Sequence, residues 1–351
     1  MFKNNCLRHI CRALTLAMLL AATTAQAQKL SRAAPFPEAS EELYGIGSGG
    51  KLYVFGGLAP GWKPKGLVYE YDPARDTWTK KKNMPIPSHH IALAEVNGKI
   101  YVIGGFKYPD TGPAGWQPMD NVFEYDPAAD TWQPLAPLPA RRGAPAATVH
   151  DGKIYVIGGA GPHPGSKETV LHPARAHRAL ASNEVYDPAT NTWATRQPMP
   201  TARNHGAIGT VNNKIYYIAG RVGAAFITRA SNVGLVEEYD PLTNQWGALK
   251  ANMPTPRSAV AWGVHQGIIY VAGGEERASG PWQRTFRAVE AYDPRTNRWS
   301  QVTEMEFPRH GLAGDIINGK FYLVSGDAAS GGAPGTHIDS DVVEVIDLDA
   351  R

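Results

Sequence analysis

Two nearby segments decide the fold: Lys153-Ile-Tyr-Val-Ile-Gly-Gly159, and Glu184-Val-Tyr-Asp-Pro-Ala-Thr-Asn-Thr-Trp193. The first is a β-rich run that reads as buried on both sides and ends in a glycine doublet. Before it, Ala144 to Val149 alternates weakly and leads into a tight turn at Asp151-Gly152. In the second segment, Glu184 to Tyr186 starts a third strand. Asp187 to Asn191 is a turn with proline at its second position, and Thr192-Trp193 opens a fourth strand. The unit is an antiparallel meander of strands a, b, c and d.

The same unit recurs along the chain. Strand b ends at Gly57, Gly105, Gly159, Gly220, Gly274 and Gly326, in steps of 48, 54, 61, 54 and 52 residues. A period of about 50 residues with four strands per copy predicts a six-bladed, all-β propeller. The spacing inside each copy is strict. The Asp of Asp-Pro precedes the Trp by six residues in the five complete copies: Asp72/Trp78, Asp126/Trp132, Asp187/Trp193, Asp240/Trp246 and Asp293/Trp299. The residue at the proline position after strand d precedes the glycine by 20 in all six copies.

Length varies between the glycine and the Asp, where the gaps are 15, 21, 28, 20, 19 and 21 residues. Insertions collect in functional surface loops. In an antiparallel meander the b–c and d–a connections leave one face, and the short a–b and c–d turns leave the other. The elaborated b–c/d–a face is therefore the expected working surface. The sixth copy has no Trp after Asp347, whereas Leu30 to Pro37 aligns with Trp132 to Pro139. This N-terminal segment is expected to supply strand d of the last blade and close the ring, removing exposed sheet edges.

Residues 1–27 read as a cleaved export signal. Lys3, Arg8 and Arg12 form a basic head, Ala13 to Ala25 an apolar run too short to span a bilayer, and Ala25-Gln26-Ala27 a small-x-small cleavage site. Residues 28–351 are then one exported propeller domain, periplasmic or secreted, without membrane insertion. Cys6 and Cys11 are the two cysteines of the chain and both lie in this signal, which leaves no disulfide, thiolate ligand or Cys nucleophile. Its removal lowers the formal charge from +3 to 0, a poor balance for nucleic-acid binding.

The Ile-Tyr-Val-Ile-Gly-Gly at 100–105 and 154–159 and the Glu-Tyr-Asp-Pro-Ala-Ala-Asp-Thr-Trp at 124–132 resemble the kelch-repeat family over residues 28–351. Ala219-Gly220 and Ser325-Gly326 depart from the doublet. The resemblance implies a platform used by partner-binding domains, by copper oxidases resembling galactose oxidase, and by exported sialic-acid mutarotases. The oxidase cofactor needs a Tyr crosslinked to Cys, which the cysteine-free domain lacks.

The repeated Trp residues are expected to pack blade on blade and the Asp-Pro pairs to make turns. The d–a loops carry the candidate site. Successive copies place Ser40, Ser88, Arg142, Arg203, Arg257 and Arg309 three residues after the proline position. Glu41, His89, Gly143, Asn204, Ser258 and His310 come next, and then Glu42, His90, Ala144, His205, Ala259 and Gly311. The four arginines are expected around the channel mouth as ligands for an anion, with bracing of a neighbouring blade through backbone carbonyls or an acid as the alternative. His90, His205 and His310, from alternate blades, suit either polar lining or zinc; polar lining, with no metal or cofactor, is the adopted reading.

The b–c loops contribute Arg221, Glu275, Glu276, Arg277 and Asp327, with the aromatics Trp62, Phe106, Trp116, Phe226 and Trp282. Residues 160–182, including His163, His172, Arg175 and His177, form the longest insertion, a lid or contact arm. The leading function is recognition of a protein or an anionic carbohydrate. Its ligand residues are Arg142, Arg203, Asn204, His205, Arg221, Arg257, Glu275, Arg309, His310, His89 and His90. The alternative is a sugar mutarotase, with Glu275 or His205 as acid or base and Arg203 or Arg257 holding the substrate carboxylate.

Overall fold

The computed structural model describes residues 30–112, 114–162, 167, 169–171, 178–223, 231–277, 283–329 and 338–350. The segment 1–27, Cys6, Cys11, His163, His172, Arg175, His177, Phe226 and Trp282 lie outside these, as does the side chain of Arg277.

Six four-stranded antiparallel sheets form the blades of a propeller. In blade 3 the strands are Ala146–His150, Lys153–Ile157, Asn183–Asp187 and Thr192–Thr195, in the order a-b-c-d. Strand a of every blade touches strand a of the next, including the last against the first, so the six innermost strands ring a central channel. The a–b turns at Asn97-Gly98, Asp151-Gly152, Gln266-Gly267 and Asn318-Gly319 all have positive φ at both residues. This is the hairpin geometry whose twist matches that of the flanking strands.

Ring closure follows the expected route. Leu30–Arg32 pairs antiparallel with strand c of blade 6, in the register Leu30↔Ile346, Ser31↔Val345 and Arg32↔Glu344.

The repeated Tyr, Asp or Asn, and Trp clamp each blade to the one before. The hydroxyl of Tyr239 donates to Asn244 Oδ1 at 2.7 Å, and Asn244 sits in the left-handed region at φ 56°. Asn244 Oδ1 also accepts from the backbone N–H of Gln197, and Trp246 Nε1 donates to the carbonyl of Gln197 at 2.9 Å. Gln197 follows strand d of the preceding blade. The same three-part clamp recurs at Tyr71/Asp76/Trp78 on Ala34, and at Tyr186/Asn191/Trp193 on Ala136.

The second glycine of the doublet is needed for close approach. A Cβ on Gly105 (φ 100°) would lie 2.8 Å from the carbonyl oxygen of His89, and one on Gly326 (φ 96°) 2.7 Å from that of His310. The first position is as tight in the other copies, a Cβ on Gly158 falling 2.5 Å from the Arg203 carbonyl oxygen and one on Gly104 2.7 Å from that of Arg142, yet Ala219 (φ 55°) and Ser325 (φ 57°) stand there.

The b–c and d–a connections do share a face. Residues of the d–a loops bridge to the first residue after the doublet: His89↔Phe106, Gly143↔Ala160, Asn204↔Arg221, Ser258↔Glu275 and His310↔Asp327. Short hairpins then extend four b–c loops outward: Phe106–Lys107 with Gln117–Pro118, Ala160–Gly161 with Arg178–Ala179, Arg221–Val222 with Ser231–Asn232, and Glu275–Arg277 with Gln283–Thr285.

Candidate functional site

The four arginines of the d–a loops do not reach the channel mouth, contrary to the ring of anion ligands expected from the sequence. Arg142, Arg203, Arg257 and Arg309 are all fully buried. Each is ion-paired with a glutamate on strand c of its own blade: Glu184, Glu237, Glu290 and Glu344 respectively. Arg203 also donates to the carbonyls of Ala219 at 3.0 Å and Tyr217 at 3.3 Å. The guanidinium fork spans strands b and c and satisfies carbonyls at the edge of the sheet. A buried charge is tolerable only when paired and hydrogen-bonded in this way. Bracing is therefore the observed arrangement, although it acts within each arginine's own blade and not on a neighbouring one, and neither Arg203 nor Arg257 is placed to hold a substrate carboxylate.

The remaining nominated residues do converge. The residues following those arginines, and their counterparts in blades 1 and 2, turn inward at the loop-face end of the axis. Glu42, His90, Ala144, His205, Ala259 and Gly311 all have φ between 53° and 57°. That unusual backbone lets the N–H groups of four of them turn toward the preceding blade. Ala144 donates to His90, His205 to Ala144, Ala259 to His205 and Gly311 to Ala259, and Leu43 donates to Gly311. The resulting arc of five bonds around the axis offsets the cost of left-handed non-glycine residues, about 1 kcal/mol each.

Around this arc lies a buried polar cluster. His310 Nε2 is 3.4 Å from Glu41 Oε2 and 3.6 Å from Glu275 Oε2. Arg221 Nη1 donates to Glu275 Oε1 at 3.0 Å. His90 Nε2 is 3.2 Å from Glu42 Oε2, which also accepts from the Tyr44 hydroxyl at 3.3 Å. His89 and His90 share a hydrogen bond between their Nδ1 atoms, and His205 Nδ1 is 2.5 Å from Asn204 Oδ1. The His90 and His205 rings pack edge to face with centroids 4.5 Å apart. An apolar cluster of Phe106, Trp116, Ala144, Ala160 and Leu171 packs beside them, with the Trp116 and His90 ring centroids 4.6 Å apart and the planes tilted by 42°.

Glu41 and Glu42 supply carboxyl groups to this cluster and were not nominated from the sequence. They occupy the repeat positions of His89 and His90, which was the available signal. A cavity of about 20 Å³ lies among Glu42, Tyr44, His205 and Trp262. Beyond it the channel widens to about 340 Å³, lined by strand-a residues including Leu93, Thr148, Ile208, Trp262 and Asp315.

Burial sets the protonation of these groups. It pushes Glu42 up to about 8, with Glu41 adding to the shift. Burial alone would lower His310, but Glu275 and Glu41 outweigh it and push the imidazole up to about 10. Burial pushes His89 down to about 3, and drives His90 and His205 well below the ordinary histidine value, aided by neighbouring positive groups.

A folded-state value below the unfolded one means that the neutral imidazole of His89 stabilises the fold. That contribution is complete above pH ~6.5 and is lost as the pH falls toward about 3, at roughly 1.4 kcal/mol per unit. Urea midpoints between pH 7 and pH 4 are expected to fall, and to fall less steeply in His89→Gln. An identical slope in the variant would remove His89 from this role.

A family model described as the KLHDC2/KLHL20/DRC7 kelch-repeats domain matches residues 14–220, and the kelch-motif model matches residues 202–246 and 256–306. The chain belongs to the kelch-repeat family. Among curated kelch relatives, Kelch-like protein terF of Aspergillus terreus is 29% identical over 290 residues, covering 81% of this chain and 60% of that protein. Kelch-like protein 36 of Rattus norvegicus is 30% identical over 263 residues, covering 73% of this chain and 39% of that protein. The chain thus spans between two fifths and three fifths of the length of these relatives. The solved structure of YjhT superposes with a TM-score of 0.70 at 19% identity, covering 90% of this chain and all of that one, which is a likeness of fold. The arginine–glutamate braces and the Trp clamp belong to this kelch scaffold, whereas the axial cluster is built from residues that differ from blade to blade.

Proposed function

We propose that this kelch protein is an exported recognition module that binds a protein partner through its b–c/d–a face. The observation that carries this reading is asymmetry. Six near-equivalent repeats keep the a–b and c–d turns almost constant and place their hairpin extensions on the opposite rim. The resemblance to partner-binding kelch domains supports it.

The partner's chemistry is suggested by a groove of about 640 Å³ on blade 3, lined by Arg141, Arg178 and Arg196 together with Pro162, Leu180 and Pro198. Arginines beside apolar walls favour a segment with carboxylates. Peptides selected from a random displayed library are expected to be enriched in Asp and Glu. The double change Arg178→Glu with Arg196→Glu is expected to weaken them at least tenfold, whereas Lys153→Glu on the opposite rim leaves them unchanged. Equal binding by the double variant would contradict the reading. Export belongs to the same proposal, and Gln28 as the first residue of the secreted protein checks it.

An anionic sugar is a second ligand class for the same face, and a sugar mutarotase is the second functional reading. It is favoured by Glu275 standing between Arg221 and His310. Polarimetry separates the two. Accelerated anomeric equilibration that is lost in Glu275→Gln would establish the enzyme, and an uncatalysed rate leaves recognition.

A further inference from the structure

We propose that Glu41, Glu42 and His310, with Glu275 beside them, form a binding site for one divalent transition cation of the zinc or manganese class at the loop-face end of the propeller axis. This site goes beyond the recognition reading and does not depend on it. One ligand atom from each of Glu41, Glu42 and His310 lies within 4.8 Å of the other two, and all three residues are buried. The 3.4 Å from His310 Nε2 to Glu41 Oε2 is close to the ~3.3 Å edge of a tetrahedron whose bonds are ~2.0–2.1 Å long.

The hydrogen-bond network assigns the imidazole tautomer. His310 Nδ1 is 3.2 Å from the backbone carbonyl of Asp327, which only accepts, so Nδ1 carries the proton. Nε2 faces two carboxylates, Glu41 and Glu275, and without a metal it holds a proton between them. A cation bound between the groups would take the place of that proton. Charge balance points to a divalent one. Arg221 pairs with Glu275, and a divalent ion would replace two protons held among Glu41, Glu42, Glu275 and His310.

A second observation is independent of the carboxylates. His205 lines the ~20 Å³ cavity with Glu42, and its Nε2 is buried without a hydrogen-bond partner among the described residues. That volume holds about one water molecule, a further ligand that His205 is placed to orient as metal sites require. Mixed imidazole and carboxylate donors suit zinc or manganese. Calcium takes six to eight oxygens, more than this site offers.

The test uses the full chain, stripped with chelator and titrated calorimetrically with Zn²⁺ or Mn²⁺ alone, with Ca²⁺ and Mg²⁺ for comparison. One equivalent of Zn²⁺ or Mn²⁺ is expected to bind with a dissociation constant of roughly 10 µM or tighter. Glu41→Gln and His310→Gln are each expected to weaken it at least tenfold. His265→Gln, on the opposite rim and paired with Asp349, is expected to leave it unchanged. Co²⁺ gives an optical readout, and its visible bands are expected to disappear in His310→Gln. If that variant does not fold, Glu41→Gln, which preserves side-chain shape, decides. Binding weaker than roughly 10 µM, or equal affinity in the Glu41 variant, overturns the site and leaves two protons as its counter-charge.

Discussion

Arg257→Ala is expected to lower the unfolding free energy by about 3–5 kcal/mol, the cost of breaking a buried ion pair from one side. The guanidinium is fully buried and pairs with Glu290. It also donates to the carbonyls of Gly273 at 2.6 Å, Val271 at 3.0 Å and Thr255 at 3.0 Å. Alanine would leave a carboxylate and three carbonyls in the interior without those donors. Arg257→Lys is expected to recover only part of the loss, because an ammonium cannot span the positions that the planar fork reaches. Arg295→Ala, which breaks an exposed pair with Asp293, should cost far less than Arg257→Ala. Urea unfolding at neutral pH measures all three. A stable Arg257→Ala protein that had lost ligand binding would restore the arginine to the recognition surface and contradict the brace.

Removing residues 30–37 is expected to cost at least about 5 kcal/mol and to lower the melting temperature by about 10 °C or more. This segment joins the two ends of the ring. On one side Leu30–Arg32 completes the sheet of blade 6, and Phe36 N–H donates to the Asp341 carbonyl at 2.7 Å. On the other, Trp78 Nε1 donates to the Ala34 carbonyl, and buried Phe36 packs edge-on against Tyr69 and Trp78 at 5.2 and 5.1 Å. Without it, Val343–Asp347 becomes an open strand edge, so concentration-dependent association should accompany the loss. Calorimetry at two protein concentrations reads both effects. An unchanged melting temperature would show that the ring does not depend on this strand.

The blades were legible because each repeat carries its own turn, doublet and Trp at constant spacing, and local signals of that kind survive without knowledge of neighbours. The closing strand was legible for the same reason, since Leu30 to Pro37 has the composition of the segment that follows Trp132. The arginines were misplaced although a signal existed. Glu184, Glu237, Glu290 and Glu344 each stand three residues before the turn Asp in the four blades that have Arg. Blades 1 and 2 have Ser40 and Ser88 instead, with Tyr69 and Phe123 at the glutamate position. Partnership within a blade was written in that pairing.

The axial cluster was half legible. Its histidines, Asn204, Arg221 and Glu275 were found by repeat position. Glu41 and Glu42 meet His310 only because ring closure brings blade 1 against blade 6, and sequence spacing gives no measure of how deeply such groups are buried.

The central claim is that the elaborated rim above the axis is the working face. Hydrogen–deuterium exchange of the protein with and without a bound acidic peptide from the displayed selection tests it most directly. Protection is expected in 106–118, 178–182 and 196–200, with no change at the turns 97–98, 151–152 and 187–191. Protection confined to those turns would contradict the account.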